Sequence, residues 1–158
     1  MFVTVFTLLI TVCSFTQESE QEVFGSRNST YIEGQLGGND EVAGYVSVNY
    51  DRLVGKKKKT LLRVGIAPTF EYVGCFIPTT ISWITHPKSK SHVELGVGIS
   101  NRLELFEGRL MYMPFTQGFV MYRYEGDRGF LLRTGMNALA YIIFPVNANL
   151  GISLGYRF

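Results

Sequence analysis

Residues Ser91–Leu103 read SHVELGVGISNRL, and their alternation decides the fold. Val93, Leu95, Val97, Ile99 and Leu103 fall on one side of an extended chain. His92, Glu94, Gly96, Gly98, Ser100 and Arg102 fall on the other. A period of two marks a β-strand, because successive side chains point to opposite faces. A helix would scatter both sets around its axis, and each interior glycine would cost it about 0.5–1 kcal/mol relative to alanine.

The same pattern recurs along the chain. Ala148, Leu150, Ile152, Leu154, Tyr156 and Phe158 oppose Asn149, Gly151, Ser153, Gly155 and Arg157. Leu62, Val64, Ile66 and Phe70 oppose Arg63, Gly65, Ala67 and Thr69, while Val46, Val48 and Tyr50 oppose Ser47, Asn49 and Asp51. Eight runs are predicted, at 29–37, 42–53, 60–72, 75–85, 91–104, 112–125, 129–138 and 147–158. They are joined by turn-like stretches such as GGND at 37–40, GKKKK at 55–59, HPKSK at 86–90 and EGDRG at 125–129. Sequential strands with short connections form an up-and-down meander, and an even number lets the first strand pair with the last.

Alternation alone leaves two barrels open. A soluble lipocalin-like ligand binder keeps its apolar face inward, whereas a membrane barrel turns it toward lipid and encloses a polar lumen. The polar face favours the second. It mixes glycine and serine with Arg63, Glu94, Arg102, Arg123, Arg133 and Arg157, a composition suited to a crowded interior. Lysines gather instead in the turns, at 56–59, 88 and 90. Aromatic residues sit near run ends (Tyr31, Tyr45, Tyr50, Phe70, Tyr72, Trp83, Tyr122, Tyr124, Tyr141, Phe144, Tyr156 and Phe158), as two interfacial girdles require. Leu61, Phe119, Met121 and Leu131 run against this reading by pointing inward. The expected fold is an all-β, eight-stranded antiparallel up-and-down transmembrane β-barrel with a polar lumen, over residues 29–158.

Composition agrees. The 158 residues are 46% hydrophobic and 18% charged, with 17 glycines and a net charge of +2, which disfavours disorder and a nucleic-acid partner. Mean hydropathy is +0.13 although no long apolar run follows the start of the chain. Eight tilted crossings of about 9–11 residues each account for that hydropathy without a membrane helix.

Residues 1–16, MFVTVFTLLITVCSFT, lack any charged side chain and are too short to span a bilayer. They read as a signal peptide, although basic residues after Met1 are missing. The alternative is a buried first strand or helix. Lipidation at Cys13 is disfavoured because Ile10-Thr11-Val12 lacks a small residue ahead of it. Residues 17–28 read as a flexible periplasmic leader. Removal of 1–16 would leave Cys75 as the one cysteine, so no internal disulfide is expected.

The stretches NSTYIEGQLGGN, YVSVNYDRL, LLRVGIAP, HVELGVGIS, FVMYRYEGDRGFLLRTGMN and GISLGYRF, in that order, resemble small outer-membrane β-barrels of Bacteroidota. The resemblance covers about residues 28–158. It implies an outer-membrane location and a barrel fold, and it transfers no functional residue. The terminal GISLGYRF looks like the assembly signal of such barrels, which implies that Tyr156 and Phe158 are read by the barrel assembly machinery.

The inward set predicted from alternation comprises Glu33, Gln35, Asn49, Asp51, Arg63, His92, Glu94, Arg102, Arg123, Arg133 and Arg157. Buried charges must be paired, so the arginines are expected to interleave with Glu33, Asp51 and Glu94 as a structural plug. A narrow channel is the alternative, but eight strands leave little bore. His92, Glu94 and Ser100 cannot form a hydrolase triad, because one strand at about 3.3 Å per residue spreads them over about 26 Å. Ser47 or Ser153 from another strand remains as a partner for His92 in a lipid-modifying enzyme. The Lys56–Lys59 run is read as a solvated turn or an anion site. The apolar stretches 103–114 and 138–146 either extend strands beyond the membrane or contact a partner. The expectation is a non-catalytic barrel without cofactor or metal, in contact with outer-membrane lipid and with a protein or glycan at its extracellular loops.

Overall fold

A computed structural model describes residues 28–37, 44–54, 59–69, 73–86, 89–141 and 146–158. The predicted signal peptide, most of the leader and Lys56–Lys58 lie outside these residues. Eight strands follow in chain order: β1 (Asn28–Gly37), β2 (Val46–Val54), β3 (Thr60–Thr69), β4 (Val73–Ile84), β5 (Ser91–Phe106), β6 (Arg109–Glu125), β7 (Phe130–Ala140) and β8 (Asn147–Arg157). Each pairs antiparallel with the next, and β1 pairs with β8 to close the barrel. The backbones of Asn28 and Phe158 exchange two hydrogen bonds, N–H to O at 3.1 and 2.9 Å, which seals the last position of that seam.

Burial settles which face is inside. Asp51, Glu94, Arg123 and Arg133 are 0% exposed, while Leu36 and Leu150 are 69% and 63% exposed. The apolar face is therefore the outer one, and the inward-apolar lipocalin arrangement is excluded.

One reading left open is decided and two expectations change. First, 103–114 extends the strands: β5 and β6 run on to a two-residue turn, Glu107-Gly108, with Phe106 opposite Arg109. Both turn residues have positive φ, 49° and 75°, the backbone sign of a type I′ hairpin turn. Second, Tyr31 and Tyr45 are not girdle residues but lie inside the barrel, because each shares the parity of a polar inward set. Tyr50, Trp83 and Tyr156 do face outward, whereas Phe70, Tyr72 and Phe144 lie outside the described residues. Third, Asn28 belongs to β1 rather than to the leader.

Glycines on the inward face make room for large neighbours. A side chain at Gly96 would meet the Phe119 ring, one at Gly135 would meet Met121, and one at Gly155 would meet Tyr31. Each glycine stands directly across the ladder from the residue it accommodates. This large-against-small pairing lets bulky groups fill a narrow interior at native density. Pro78 faces inward in β4, where register places it opposite Gly65. It has no N–H to give the Gly65 carbonyl, and the β3–β4 ladder skips that position and the next.

Candidate functional site

The interior has three layers. At the mouth nearest the termini, Leu53, Leu61 and Ile84 form a small apolar cluster. At the opposite mouth Tyr45, Ala67, Phe76, Phe115 and Leu139 pack together, with Met113 and Tyr141 against them. Their rings run across that mouth with centroids 5.0 Å (Tyr45–Phe76), 6.0 Å (Phe76–Phe115) and 5.2 Å (Phe115–Tyr141) apart. Between the two clusters lies a charged layer.

Glu94 is the hub of that layer. Its carboxylate accepts hydrogen bonds from Ser82 Oγ at 2.8 Å, Arg63 Nη2 at 3.2 Å, and Arg133 Nε and Nη2 at 3.0 and 3.2 Å. Arg123 Nη1 lies 3.5 Å away. Glu33 accepts from Arg133 at 2.9 Å, Ser153 at 2.9 Å and Gln35 at 2.8 Å, with Arg63 at 3.6 Å. Asp51 accepts from Arg123 Nη1 at 2.8 Å, and Ser29 Oγ accepts from Arg123 Nη2 at 3.0 Å. Arg63 and Arg133 also share two rings: their guanidinium carbons lie 4.6 and 5.9 Å from the Phe119 centroid and 5.4 and 4.7 Å from that of Tyr31. Each guanidinium thus combines in-plane hydrogen bonds to carboxylates with stacking above aromatic faces, which an ammonium cannot do.

Two carboxylates escape the sequence reading. Glu125, the last residue of the predicted run 112–125 and the first of the turn-like stretch 125–129, is 0% exposed and accepts from Arg123 Nε at 2.7 Å and Arg157 Nη1 at 2.6 Å. Glu104, where the predicted run 91–104 meets the apolar stretch 103–114, is buried and accepts from Arg102 Nε at 2.6 Å, nearer the opposite mouth than the central network. Both close runs already predicted and share the inward parity of β6 and β5, so carrying that parity to the end of each run would have found them. With these two, Arg63, Arg102, Arg123, Arg133 and Arg157 match Glu33, Asp51, Glu94, Glu104 and Glu125 one for one. An amide relay adds to them: Ser100 donates to Gln117 at 2.6 Å, Gln117 to Asn137 at 3.1 Å, and Asn137 to Gln35 at 2.8 Å.

His92 sits at the start of β5. Its Nδ1 lies 2.9 Å from the Thr85 carbonyl oxygen and 3.1 Å from that of His86, so Nδ1 carries the proton and ties down the preceding turn. Its Nε2 is 3.9 Å from Glu125. The serines weighed as its partners are engaged elsewhere: Ser153 donates to Glu33, and Ser47 Oγ accepts from Asn49 at 2.8 Å. Among the described residues no group of three His, Cys, Asp or Glu side chains is placed to hold a metal ion.

Outside the wall, Lys90 Nζ lies 2.8 and 2.9 Å from the two Asp127 carboxylate oxygens and joins the β4–β5 turn to the β6–β7 turn. That hydrogen bond raises the Lys90 pKa and lowers that of Asp127.

No family model matches the chain, and no curated protein does. Solved structures do. The N-terminal β-barrel domain of Pseudomonas aeruginosa OprF superposes with a TM-score of 0.64 at 11% identity, covering 84% of this chain and 99% of that one. A de novo designed transmembrane β-barrel gives 0.59 at 11% identity, covering 89% and 100%. Neisserial surface protein A gives 0.55 at 8% identity, covering 85% and 97%. At these identities the likeness is one of fold, and the fold is that of eight-stranded transmembrane barrels.

Proposed function

We propose that this chain is an integral outer-membrane β-barrel with a structural or interaction role and no catalytic activity. The inverted burial carries the reading: an apolar wall faces out, and a charge-matched arginine–carboxylate layer fills the lumen. A wall of that kind is stable against hydrocarbon and not against water. The order of motifs, which resembles that of small Bacteroidota barrels, supports the same reading, as does an apolar residue 1–16 segment suited to export. Tyr156 and Phe158 face outward at 55% and 52% exposure, where assembly machinery could reach them. With the termini on the periplasmic side, the connections opposite them are extracellular and present the barrel to any protein or glycan partner.

The charged layer works as a plug in this account. A conducting path would need the Glu94 hub and both apolar clusters to open together, so the narrow-channel reading ranks second. Fractionation tests the main proposal. The protein should stay with membranes after carbonate washing, need detergent for release, and migrate differently on gels when unboiled. Recovery in the soluble fraction without detergent would refute it.

A further inference from the structure

The outer wall is not equally tall all round. Six strands have 9–12 residues, close to the about 9–11 that cross a bilayer at a tilt. β5 and β6 have 16 and 17. Along this pair the outward positions are Ser91, Val93, Leu95, Val97, Ile99, Asn101, Leu103 and Leu105, then Leu110, Tyr112, Pro114, Thr116, Gly118, Val120, Tyr122 and Tyr124. None is charged. Two polar side chains on it are engaged within the wall: the Asn101 side-chain oxygen accepts from Tyr112 Oη at 2.7 Å, and Thr116 Oγ1 donates to the Ala140 carbonyl at 3.1 Å.

From Tyr124 to Leu110 the wall climbs fourteen positions, at about 2.5 Å each along the barrel axis for a tilt of about 40°. That is about 35 Å, against an apolar band of about 25 Å in barrels of this kind. The tip of the stripe is open: Leu110 is 72% exposed and Tyr112 59%, and Val73, beside Leu105, is 80% exposed. Charged residues enter the hairpin on its inner face, where Arg102 and Glu104 pair, and at its tip, with Glu107 and Arg109.

We infer that lipid covers the outward face of the β5–β6 hairpin up to Leu110, so that the leaflet opposite the termini is drawn up, or the barrel tilts, on this side. The inference rests on the membrane reading above. Continuity carries it: the stripe joins the lipid-facing wall without a charged break. Mismatch of this size is accommodated by local thickening or tilt at modest cost per ångström. The inner face of the hairpin, with Phe106 and Met111, overhangs the mouth and stays with water.

Tryptophan fluorescence tests this, because Trp83 is the one tryptophan in the chain. In a Trp83→Phe background, single probes are placed by Val97→Trp at mid-wall and Leu110→Trp at the tip, and the gel shift confirms folding in phosphatidylcholine vesicles. Both probes should emit in the blue and be quenched when the acyl chains are brominated, with Leu110→Trp at least half as strongly as Val97→Trp. Quenching at 97 with red, unquenched emission at 110 would place the tip in water and overturn the inference alone. Blue but unquenched emission at 110 would mean a second copy or another protein covers it, which also overturns it. Loss of quenching at 97 in folded protein would instead overturn the membrane reading on which it rests.

Discussion

Arg123 and Arg133 stand directly opposite one another on β6 and β7, two like charges at one cross-strand position. Such pairs are destabilising unless other groups take up the charge. Here the guanidiniums diverge, Arg123 toward Asp51 and Glu125, Arg133 toward Glu33. Glu94 serves both, with Oε2 3.5 Å from Arg123 Nη1 and 3.0 Å from Arg133 Nε. A pair that would repel in isolation becomes the keystone of the lumen, because four carboxylates meet four arginines around it.

Glu94→Ala should therefore be among the most damaging single changes. It removes an acceptor from Arg63, Arg133 and Ser82 at once and leaves Glu33 to serve both arginines, and breaking a buried pair from one side costs about 3–5 kcal/mol. Urea unfolding in lipid vesicles, followed by the gel shift, measures the loss. Combining Glu94→Ala with Arg133→Met should cost less than the two single changes added together, because each already removes the shared bonds.

Gly96→Val should destabilise by about 1–3 kcal/mol, since the added atoms run into the Phe119 ring directly across the ladder. Phe119→Leu in the same chain should recover part of the loss. The same unfolding titration reads both, and recovery from the second change distinguishes crowding from a backbone effect.

Glu107→Asn should stabilise the β5–β6 turn by up to about 1 kcal/mol, because a left-handed backbone is costly for glutamate and routinely visited by asparagine. Gly108→Val, at a φ of 75°, should act in the opposite direction. Amide exchange of the hairpin compared with the rest of the barrel would show each effect where it arises.

The Lys90–Asp127 bridge predicts a pH response confined to the two turns it joins. The Asp127 pKa is lowered by its hydrogen bond from Lys90, so its contribution is complete above the ordinary carboxylate range and is lost as pH falls through its folded value. The Lys90 pKa is raised, so its contribution holds at and below the ordinary lysine range and is lost as pH rises through its folded value. Carboxyl NMR of Asp127 should show the lowered midpoint, and Lys90→Met should return it toward the ordinary value.

The strands were legible because alternation survives wherever one face meets an apolar medium and the other a polar one. Ser91–Leu103 reads correctly in every inward and outward position. What alternation could not supply was where strands stop. Glu104 and Glu125 obey the parity of their strands, but each closes its predicted run, and a charge where a run meets an expected loop or turn reads as solvent-exposed. Tyr31 and Tyr45 were misplaced for the converse reason: aromatic residues near strand ends suggest a girdle, yet parity points them inward, where Tyr31 meets Gly155 and Tyr45 meets Phe76. The pairing of particular arginines with particular carboxylates depends on shear between strands far apart in sequence, which no local pattern contains.

Ion flux across vesicles holding the folded protein tests the plugged barrel most directly. Vesicles in which the unboiled gel shift shows complete folding should stay as tight to small ions as protein-free vesicles. Steady flux through the unmodified protein would contradict the account of a lumen closed by the Glu94-centred network.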